Sequence, residues 1–248
     1  MPVAPSTIPE LVRRVATATP DATAIAAPGR QALSYRGLQA HVARTGAALN
    51  ALGVGRGDRV AVVLPNGPEM ATAFLAIASA ATCAPLNPAY GEAELDFYFE
   101  DLGVRALVVA RGARSPAGDV ARARSIPILE LAVPDDAEAG IFSLGEVDGV
   151  TSPESTDPMP DDVALVLHTS GTTSRPKMVP LAHRNLCASA TSVSATLELG
   201  PADKCLNVMP LFHIHGLVCA LLASLSAGAS VSCTPGFFAP QFLDWLAE

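Results

Sequence analysis

The order of apolar and polar positions along the chain predicts strands and helices that alternate. Short apolar runs without a helical period, such as residues 58–64 and 105–110, are typical of strands buried on both faces of a sheet. Longer segments with apolar positions on one side, such as residues 35–52, are typical of helices. This alternation predicts crossover connections and a mostly parallel sheet with helices on both faces.

The predicted elements have the following bounds. The strands are residues 58–64, 83–86, 105–110, 126–131, 162–168, 205–209 and 230–234. The helices are a first one capped by Ser6 or Thr7 with Pro9 in its opening turn, and then residues 35–52, 68–81, 92–102, 183–197, 217–227 and 238–248. Polar loops are predicted at 169–177 and 211–216, and a turn without a further role is predicted at 65–67.

One long segment interrupts the alternation and divides the chain. Residues 133–161 are rich in Asp, Glu, Pro, Ser and Thr, which are typical of exposed loops. We therefore predict an α/β fold with a first sub-region at 1–132, an exposed acidic and proline-rich connector at 133–161, and a second sub-region at 162–248. The last predicted helix carries Trp245 and Leu246 without a capping glycine, so we expect a truncated second sub-region. The apolar surface left by such a truncation would favour self-association.

Composition and charge exclude several classes of protein. A chain of 248 residues that is 50% hydrophobic can bury a large core, and a net charge of −8 without a basic cluster argues against nucleic acid as a partner. The amino terminus has no apolar signal sequence, and no apolar stretch is long enough to span a membrane. The five cysteines are widely spaced, which indicates reduced thiols. We therefore expect a cytoplasmic protein.

The segment at 167–180, LHTSGTTSRPKMVP, carries the predicted chemistry. It places hydroxyl side chains around one glycine, directly after a predicted strand, and a lysine follows them. The residues are Thr169, Ser170, Gly171, Thr172, Thr173, Ser174 and Lys177. A glycine bend can present backbone N–H groups to an anion, hydroxyls add donors, and a lysine adds a positive charge. The pattern predicts a loop that binds the phosphates of a nucleotide. A solvated Ser/Thr turn is the alternative, which the density of hydroxyls and the lysine disfavour.

A Walker-type phosphate loop is a second alternative for this segment. Gly171 and Lys177 have the glycine-to-lysine spacing of that motif. However, Pro176 precedes the lysine and has no N–H to donate, and Met178 follows it where a magnesium-binding hydroxyl is required. The sequence therefore excludes a Walker loop.

The same segment resembles the signature loop of the adenylate-forming superfamily, which comprises acyl-CoA synthetases, luciferases and peptide-synthetase adenylation domains. Residues 53–66 (GVGRGDRVAVVLPN), 76–90 (AIASAATCAPLNPAY) and 209–216 (MPLFHIHG) resemble further conserved blocks of that family. The resemblance covers nearly the whole chain but only the first half of a family member. Among the branches of this family, the sequence most resembles the oxalate–CoA ligases and the fatty acyl-CoA ligases.

The resemblance implies an ATP-dependent carboxylate–CoA ligase. In such enzymes a carboxylate attacks the α-phosphorus of ATP, pyrophosphate leaves, and the thiol of coenzyme A then displaces AMP. The segment from Thr169 to Lys177 would bind the β- and γ-phosphates, and His213 would be the catalytic residue beside the carboxylate. The resemblance also implies Mg²⁺, with its main protein ligand in the missing half, so we expect this chain alone not to complete the reaction. Met178 stands where many family members have glycine.

Other interpretations remain open at this stage. The chain could be a non-catalytic remnant that binds a nucleotide or a partner protein, or an adenylation domain that loads a carrier protein instead of coenzyme A. His213 and His215 form an HxH pair, but no third ligand lies nearby in sequence, so we predict no metal site. His168 could line the phosphate site or be a core histidine with a partner, and His183 is predicted at the start of a helix.

Overall fold

A computed structural model of the chain describes residues 5–145, 157–169 and 176–247. The strands are β1 (Thr23–Ala26), β2 (Leu33–Ser34), β3 (Arg59–Val63), β4 (Thr82–Pro85), β5 (Ala106–Ala110), β6 (Ile128–Ala132), β7 (Ser143–Leu144), β8 (Val163–Thr169), β9 (Lys177–Ala182), β10 (Lys204–Asn207) and β11 (Ser230–Cys233). The helices are α1 (Ile8–Ala18), α2 (Tyr35–Ala51), α3 (Pro68–Ala78), α4 (Glu92–Leu102), α5 (Pro116–Ala123), α6 (His183–Thr196), α7 (Ala223–Ser226) and α8 (Ala239–Ala247). A π-helix, His215–Leu222, leads into α7.

Within the described ranges, the strands form two sheets. The larger sheet holds most of the functional features in place. Its strand order is β7-β6-β5-β3-β4-β8-β9, and the smaller sheet has the order β10-β11-β1-β2. In the larger sheet β3 pairs in parallel with β4 and β5, and β4 pairs in parallel with β8. The two edge strands, β7 and β9, run antiparallel to their neighbours. The predicted α/β fold with mostly parallel strands is confirmed.

Helices cover both faces of the larger sheet. Successive side chains of a strand point to opposite faces, so each central strand packs against helices on both sides. Val60 and Val62 of β3 belong to an apolar cluster that includes α2 and α3. Ala61 and Val63, which alternate with them, belong to a second cluster formed with α4 and α5. All four side chains are buried. A strand that is covered on both sides becomes a continuous apolar run, and that is the pattern by which the sequence revealed it.

The first helix begins as predicted. The side chain of Thr7 accepts a 3.3 Å hydrogen bond from the backbone N–H of Glu10, and Glu10 accepts a 2.8 Å hydrogen bond from the backbone N–H of Ser6. These bonds satisfy donors that have no partner within the helix. The structure selects Thr7 over Ser6 as the capping residue.

The sheets do not follow the predicted division at 1–132 and 162–248. Strands β1 and β2 precede the predicted connector but lie in the smaller sheet with β10 and β11. Strands β8 and β9 follow the connector but extend the larger sheet beside β4. Parallel neighbours need long crossover connections, so strands that are distant in sequence can pair. The predicted ranges therefore do not correspond to the two sheets.

The prediction that residues 133–161 form an exposed connector is wrong for the part around Gly140. Ala139, Phe142 and Leu144 are buried, and the backbone oxygen of Gly140 accepts a 2.6 Å hydrogen bond from the hydroxyl of Thr72 in α3. A Cβ at Gly140 would lie 2.6 Å from a side-chain carbon of Thr72, and its φ is +87°, so only glycine fits this close approach. Composition alone does not report such a contact. Residues 146–156 of the predicted connector lie outside the described residues.

The last described helix carries apolar side chains that the rest of the structure leaves exposed. Leu243 and Leu246 of α8 and the preceding Phe237 and Phe238 are exposed. Self-association through such a surface stays a prediction. In the described part of the chain, no helix combines the length and the apolar character that a membrane span requires.

The cysteines carry free thiols. Cys83, Cys187 and Cys233 are buried, and Cys205 and Cys219 are half-buried. Burial raises the pKa of the Cys187 thiol to about 12, and Glu10 raises it further while Arg14 opposes. The thiol is therefore protonated and unreactive at neutral pH.

Candidate active site

A cavity of about 360 Å³ lies at the carboxyl ends of β4 and β8, which are adjacent parallel strands. This edge of an open α/β sheet is where ligands commonly bind, since the loops that follow the strands enclose a space there. We call it the β4–β8 cavity. Its lining residues are Pro85, Leu86, Asn87, Tyr90, Tyr98, Leu167, His168, Thr169, Pro176, Phe212, His213 and Ile214.

The hydroxyl-rich segment begins and ends at this cavity. Thr169 is the last residue of β8 and pairs with Lys177, the first residue of β9. The predicted loop at 169–177 is therefore wrong at both ends, where the chain is strand. Thr169 and Pro176 line the cavity. Because β8 and β9 are hydrogen bonded, the intervening segment starts and ends at neighbouring positions. The candidate residues Ser170, Gly171, Thr172, Thr173 and Ser174 lie outside the described residues.

Lys177 is exposed and held at the start of β9, but it is not among the described residues that line the cavity. The next residue, Met178, packs against the apolar cluster of α4 and α5. Since neighbouring residues of a strand point to opposite faces, the Lys177 side chain projects away from that cluster. The strand pair therefore fixes the backbone of Lys177 beside Thr169 and leaves its ammonium group accessible.

His168 lines the cavity and also has a fixed partner, so both alternatives drawn from the sequence hold in part. Its Nε2 atom lies 2.9 Å from Oδ2 of Asp101, and only 5% of its side chain is exposed. Its ring lies against Tyr98, with 4.6 Å between the ring centroids, and Tyr98 stacks on Tyr90 at 5.0 Å. Burial, together with the side chain of Tyr90, raises the pKa of Tyr98, so its hydroxyl is protonated at neutral pH. These contacts make a rigid aromatic wall.

A second wall consists of Phe212, His213 and Ile214, which precede the π-helix. His213 and His215 are both exposed. The backbone N–H of His213 donates a 3.2 Å hydrogen bond to the oxygen of Pro210, which closes a turn. The structure thus brings the predicted catalytic histidine and Thr169 to the same cavity.

Two asparagines fix this second wall. The Oδ1 atom of Asn66 accepts a 2.8 Å hydrogen bond from the backbone N–H of Leu211, and its Nδ2 group donates 2.9 Å to the oxygen of Thr234. The Oδ1 atom of Asn207 accepts a 3.0 Å hydrogen bond from the backbone N–H of Met209. Asn66 follows β3 in the larger sheet, whereas Thr234 follows β11 in the smaller one. The prediction that 65–67 is a turn without a further role is wrong for Asn66.

Close packing also forces the conformation at the start of the π-helix. A Cβ at Gly216 would lie 2.5 Å from the backbone oxygen of Pro210 and 3.2 Å from that of Met209. No larger residue fits without moving the turn that carries His213. Helices of this type are uncommon and are frequent at functional sites.

The β4–β8 cavity has a histidine side chain on each wall, and a carboxylate lies behind one of them, because Asp101 contacts His168. His168 and His213 line the cavity, and no Asp or Glu does so in the described part of the chain. Within the same residues, no three His, Cys, Asp or Glu side chains are grouped as metal ligands. His183, by contrast, is buried at the start of α6, where its Nδ1 atom accepts a 3.2 Å hydrogen bond from the backbone N–H of Ile8. The sequence-based prediction for His183 is confirmed.

Sequence reasoning missed the aromatic side of the cavity and the partner of His168 behind it. In the sequence, nothing distinguishes Tyr90, which precedes a predicted helix, or Tyr98 and Asp101, which lie on it. These residues come close to His168 only because β4 pairs with β8. A signal existed for Asn66, because a polar residue directly after a buried parallel strand lies at the edge where ligands bind.

The fold and the cavity define an α/β protein with a candidate active site at the carboxyl edge of its larger sheet. Comparison with known proteins gives the family: the model of the AMP-binding enzymes matches residues 12–248, and the chain belongs to this family. The resemblance to adenylate-forming enzymes drawn from the sequence is thereby confirmed.

Curated relatives include CoA ligases. The chain is 38% identical to oxalate–CoA ligase of Arabidopsis thaliana, over 91% of the chain and 45% of that ligase. It is 32% identical to sulfoacetate–CoA ligase of Cupriavidus necator, over 95% of the chain and 46% of that ligase. The chain therefore spans a little under half the length of these relatives.

Solved structures agree in fold. ATP-bound MatB from Rhodopseudomonas palustris matches with a TM-score of 0.80 at 27% identity, and the match covers 98% of the chain and 48% of MatB. An inhibitor-bound amino-terminal domain of FACL13 from Mycobacterium tuberculosis matches with a TM-score of 0.76 at 25% identity, covering 97% of the chain and 60% of that domain. The chain therefore has the fold of the amino-terminal domain of adenylate-forming enzymes.

Proposed function

We propose that the chain is the amino-terminal part of an ATP-dependent carboxylate–CoA ligase and that the β4–β8 cavity is where its carboxylate and the phosphates of ATP meet. One observation carries the proposal. Thr169, which begins the hydroxyl-rich segment, and His213, which follows β10 in the smaller sheet, line the same cavity although they are distant in sequence. The names of the relatives, which are CoA ligases, support the reaction class.

The residues of the cavity suit the first half of the reaction. A carboxylate oxygen attacks the α-phosphorus of ATP and pyrophosphate leaves, so the protein must hold two anions close together and stabilise charge on the leaving group. Lys177 and the segment from Thr169 to Ser174 would bind the outer phosphates. His213 would orient the carboxylate from the second wall, and the aromatic wall of Tyr98 and His168 would limit its size.

Mg²⁺ and coenzyme A belong to the same proposal, with a limited role for this chain. The described residues contain no cluster of metal ligands, so we assign no residue to Mg²⁺. When bound, the metal would neutralise phosphate charge. We also propose that the chain alone does not complete the reaction, because it spans under half of its relatives. Formation of acyl-CoA by the purified chain would contradict this.

The phosphate part is tested by binding measurements. We expect the purified chain to bind ATP and pyrophosphate, and Lys177→Gln to weaken both about tenfold while AMP binding changes little, since AMP lacks the outer phosphates. Lys204 is the other lysine of the chain and lies in the smaller sheet, so Lys204→Gln is the matched control. Equal weakening for AMP, or by Lys204→Gln, would contradict the assignment.

The acid is tested in a longer protein. The chain can be joined to the remaining part of the Arabidopsis relative, and exchange of labelled pyrophosphate into ATP can be followed with oxalate and with a series of fatty acids. We expect exchange with oxalate, in keeping with the relative of 38% identity. Exchange with fatty acids alone would assign the chain to the fatty acyl branch. No exchange with any acid, in a chimera that binds ATP, would favour a non-catalytic nucleotide-binding protein.

A further inference from the structure

A second cavity, of about 400 Å³, lies at the carboxyl ends of β3, β5 and β6, and the proposed ligase reaction does not use it. We call it the β3–β5 crevice. Leu64 and Asn66 follow β3, Arg111 follows β5, and Leu131 and Val133 lie at the end of β6. Its volume is in the range of cavities that hold small organic ligands.

The crevice lies where the topology of the sheet reverses. Strands β3 and β5 are parallel neighbours. From β3 the chain continues into α3, which packs on one face of the sheet, and from β5 it continues into α5, which packs on the opposite face. Because the two connections diverge, they leave an open space between the strand ends. In open α/β sheets this reversal point is the usual position of a bound ligand.

Among the described residues that line the crevice, Arg111 is the one positively charged side chain. Arg111 is exposed, and none of the described residues forms an ion pair with its guanidinium. Glu69 also lines the crevice, but Arg30 forms an ion pair with it, and Glu69 accepts a further 3.3 Å hydrogen bond from the backbone N–H of Gly140. The negative charge of Glu69 is therefore balanced, and Arg111 is available to an anion. A guanidinium binds a carboxylate through two parallel hydrogen bonds.

The remaining walls are apolar. Leu64 and Leu131 are buried beneath the opening, and Val133 beside it is 43% exposed. A ligand with a short hydrocarbon part would cover Val133 and gain free energy from burial. Asp135 and Asp136, which are exposed just beyond Val133, would repel a ligand with more than one negative charge. The surroundings therefore favour a monocarboxylate over a phosphate dianion.

We propose that the β3–β5 crevice binds a small aliphatic monocarboxylate, with its carboxylate on Arg111 and its hydrocarbon part against Leu64, Leu131 and Val133. The site does not depend on the proposed ligase function. It has a physical connection to the β4–β8 cavity, because Asn66 lines the crevice and accepts the hydrogen bond from Leu211, next to Phe212 and His213. A bound ligand would contact one residue that holds that wall in place.

The proposal is tested by methyl NMR spectroscopy of the full chain, titrated with butyrate, with its neutral analogue butyramide and with butylamine. We expect butyrate to shift the methyl signals of Leu64, Leu131 and Val133 in a saturable manner in the millimolar range. Butyramide and butylamine should bind at least about fivefold more weakly, since neither makes the charge-assisted pair with Arg111.

Two exposed arginines provide matched variants, since Arg105 and Arg111 flank β5 at its two ends. Arg111→Gln should weaken butyrate binding about fivefold or more, and Arg105→Gln, with the same net charge, should leave it within about twofold. Ala132→Leu should fill the crevice and abolish the shifts, with thermal unfolding as the check of its fold. Tighter binding of butylamine or inorganic phosphate than of butyrate would overturn the proposal. Shifts confined to Leu167 and Ile214, or equal effects of the two arginine variants, would overturn it as well.

Discussion

Asn66 and Leu211 are joined by a 2.8 Å hydrogen bond in which the side-chain oxygen of Asn66 accepts from the backbone N–H of Leu211. A residue at the end of β3 in the larger sheet thus positions the segment that carries His213. The second bond of the same side chain, to the oxygen of Thr234, attaches it to the end of the smaller sheet. The wall of the β4–β8 cavity therefore depends on contact between the two sheets.

This relationship predicts the effect of removing the Asn66 side chain. Asn66→Ala leaves the N–H of Leu211 and the oxygen of Thr234 without their partners, and we expect a loss of about 1–3 kcal/mol in the free energy of unfolding. The specific readout is hydrogen exchange. Relative to the wild type, exchange should accelerate at the Leu211 amide more than at the amides of β5. Unchanged exchange at Leu211, or equal acceleration throughout the protein, would contradict this role.

The buried strands could be predicted from the sequence for a physical reason. Strands β3 and β5 are covered by helices on both faces, so their sequences are unbroken apolar runs. The predicted bounds 58–64 and 105–110 differ from the observed Arg59–Val63 and Ala106–Ala110 only at the ends. Their alternation with amphipathic helices was sufficient to give the α/β class.

The edge strand β9 could not be predicted in the same way. It begins with Lys177 and contains Pro180, and it is exposed or half-buried along its length. Proline is tolerated on an edge strand because one side of such a strand needs no hydrogen-bonded neighbour. A polar start and an internal proline therefore resembled a loop, and the prediction placed Lys177 there.

The candidate site was predictable in its chemistry but not in its assembly. Thr169 and His213 stood out by residue type and motif, and the structure places both on one cavity. The contact of His168 with Asp101 and Tyr98 depends on which strands are neighbours, and the β4–β8 pairing joins segments far apart in sequence. Periodicity within one segment carries no information about such pairs. The π-helix is equally hidden, since an apolar run does not distinguish it from an α-helix.

Two glycine substitutions with opposite expected outcomes test the packing around His213. Gly216→Ala places a Cβ 2.5 Å from the oxygen of Pro210, so the turn must move, and we expect a loss of about 1–3 kcal/mol in stability. Gly46→Ala lies within α2, where the nearest contact of a Cβ is an ordinary 3.6 Å to Ala80. Because alanine is the better helix former, Gly46→Ala should be neutral or stabilising by up to about 1 kcal/mol.

Chemical denaturation measures the stability of both glycine variants. NMR spectra recorded without butyrate show where the structure changes. The signals of Ile214 and Leu211 should shift in Gly216→Ala and remain in place in Gly46→Ala. A Gly216→Ala protein of wild-type stability with unshifted signals would show that the turn accommodates the methyl group.

The dependence of stability on pH follows from two buried imidazoles. Burial, together with Arg44, lowers the pKa of His41 from 6.5 to about 4, and burial lowers that of His183 to about 4 against the opposing charge of Asp162. The unfolded chain therefore takes up protons between pH 6.5 and pH 4 that the folded chain does not, so stability falls as the pH falls through this window. Each histidine can contribute a loss of about 3 kcal/mol.

Substitution of His41 distinguishes this effect from general acid unfolding. The Nε2 atom of His41 has no hydrogen-bond partner among the described residues, and its ring packs edge-on against Phe142 at 4.4 Å between centroids. His41→Phe should keep the packing, abolish that residue's proton uptake, and reduce by about half the stability lost between pH 6.5 and pH 4. Denaturant titrations by circular dichroism at several pH values measure the slope of the free energy of unfolding against pH. His215 is exposed, so His215→Gln should leave the slope unchanged, and a wild-type slope in His41→Phe would exclude His41 as a source of the acid sensitivity.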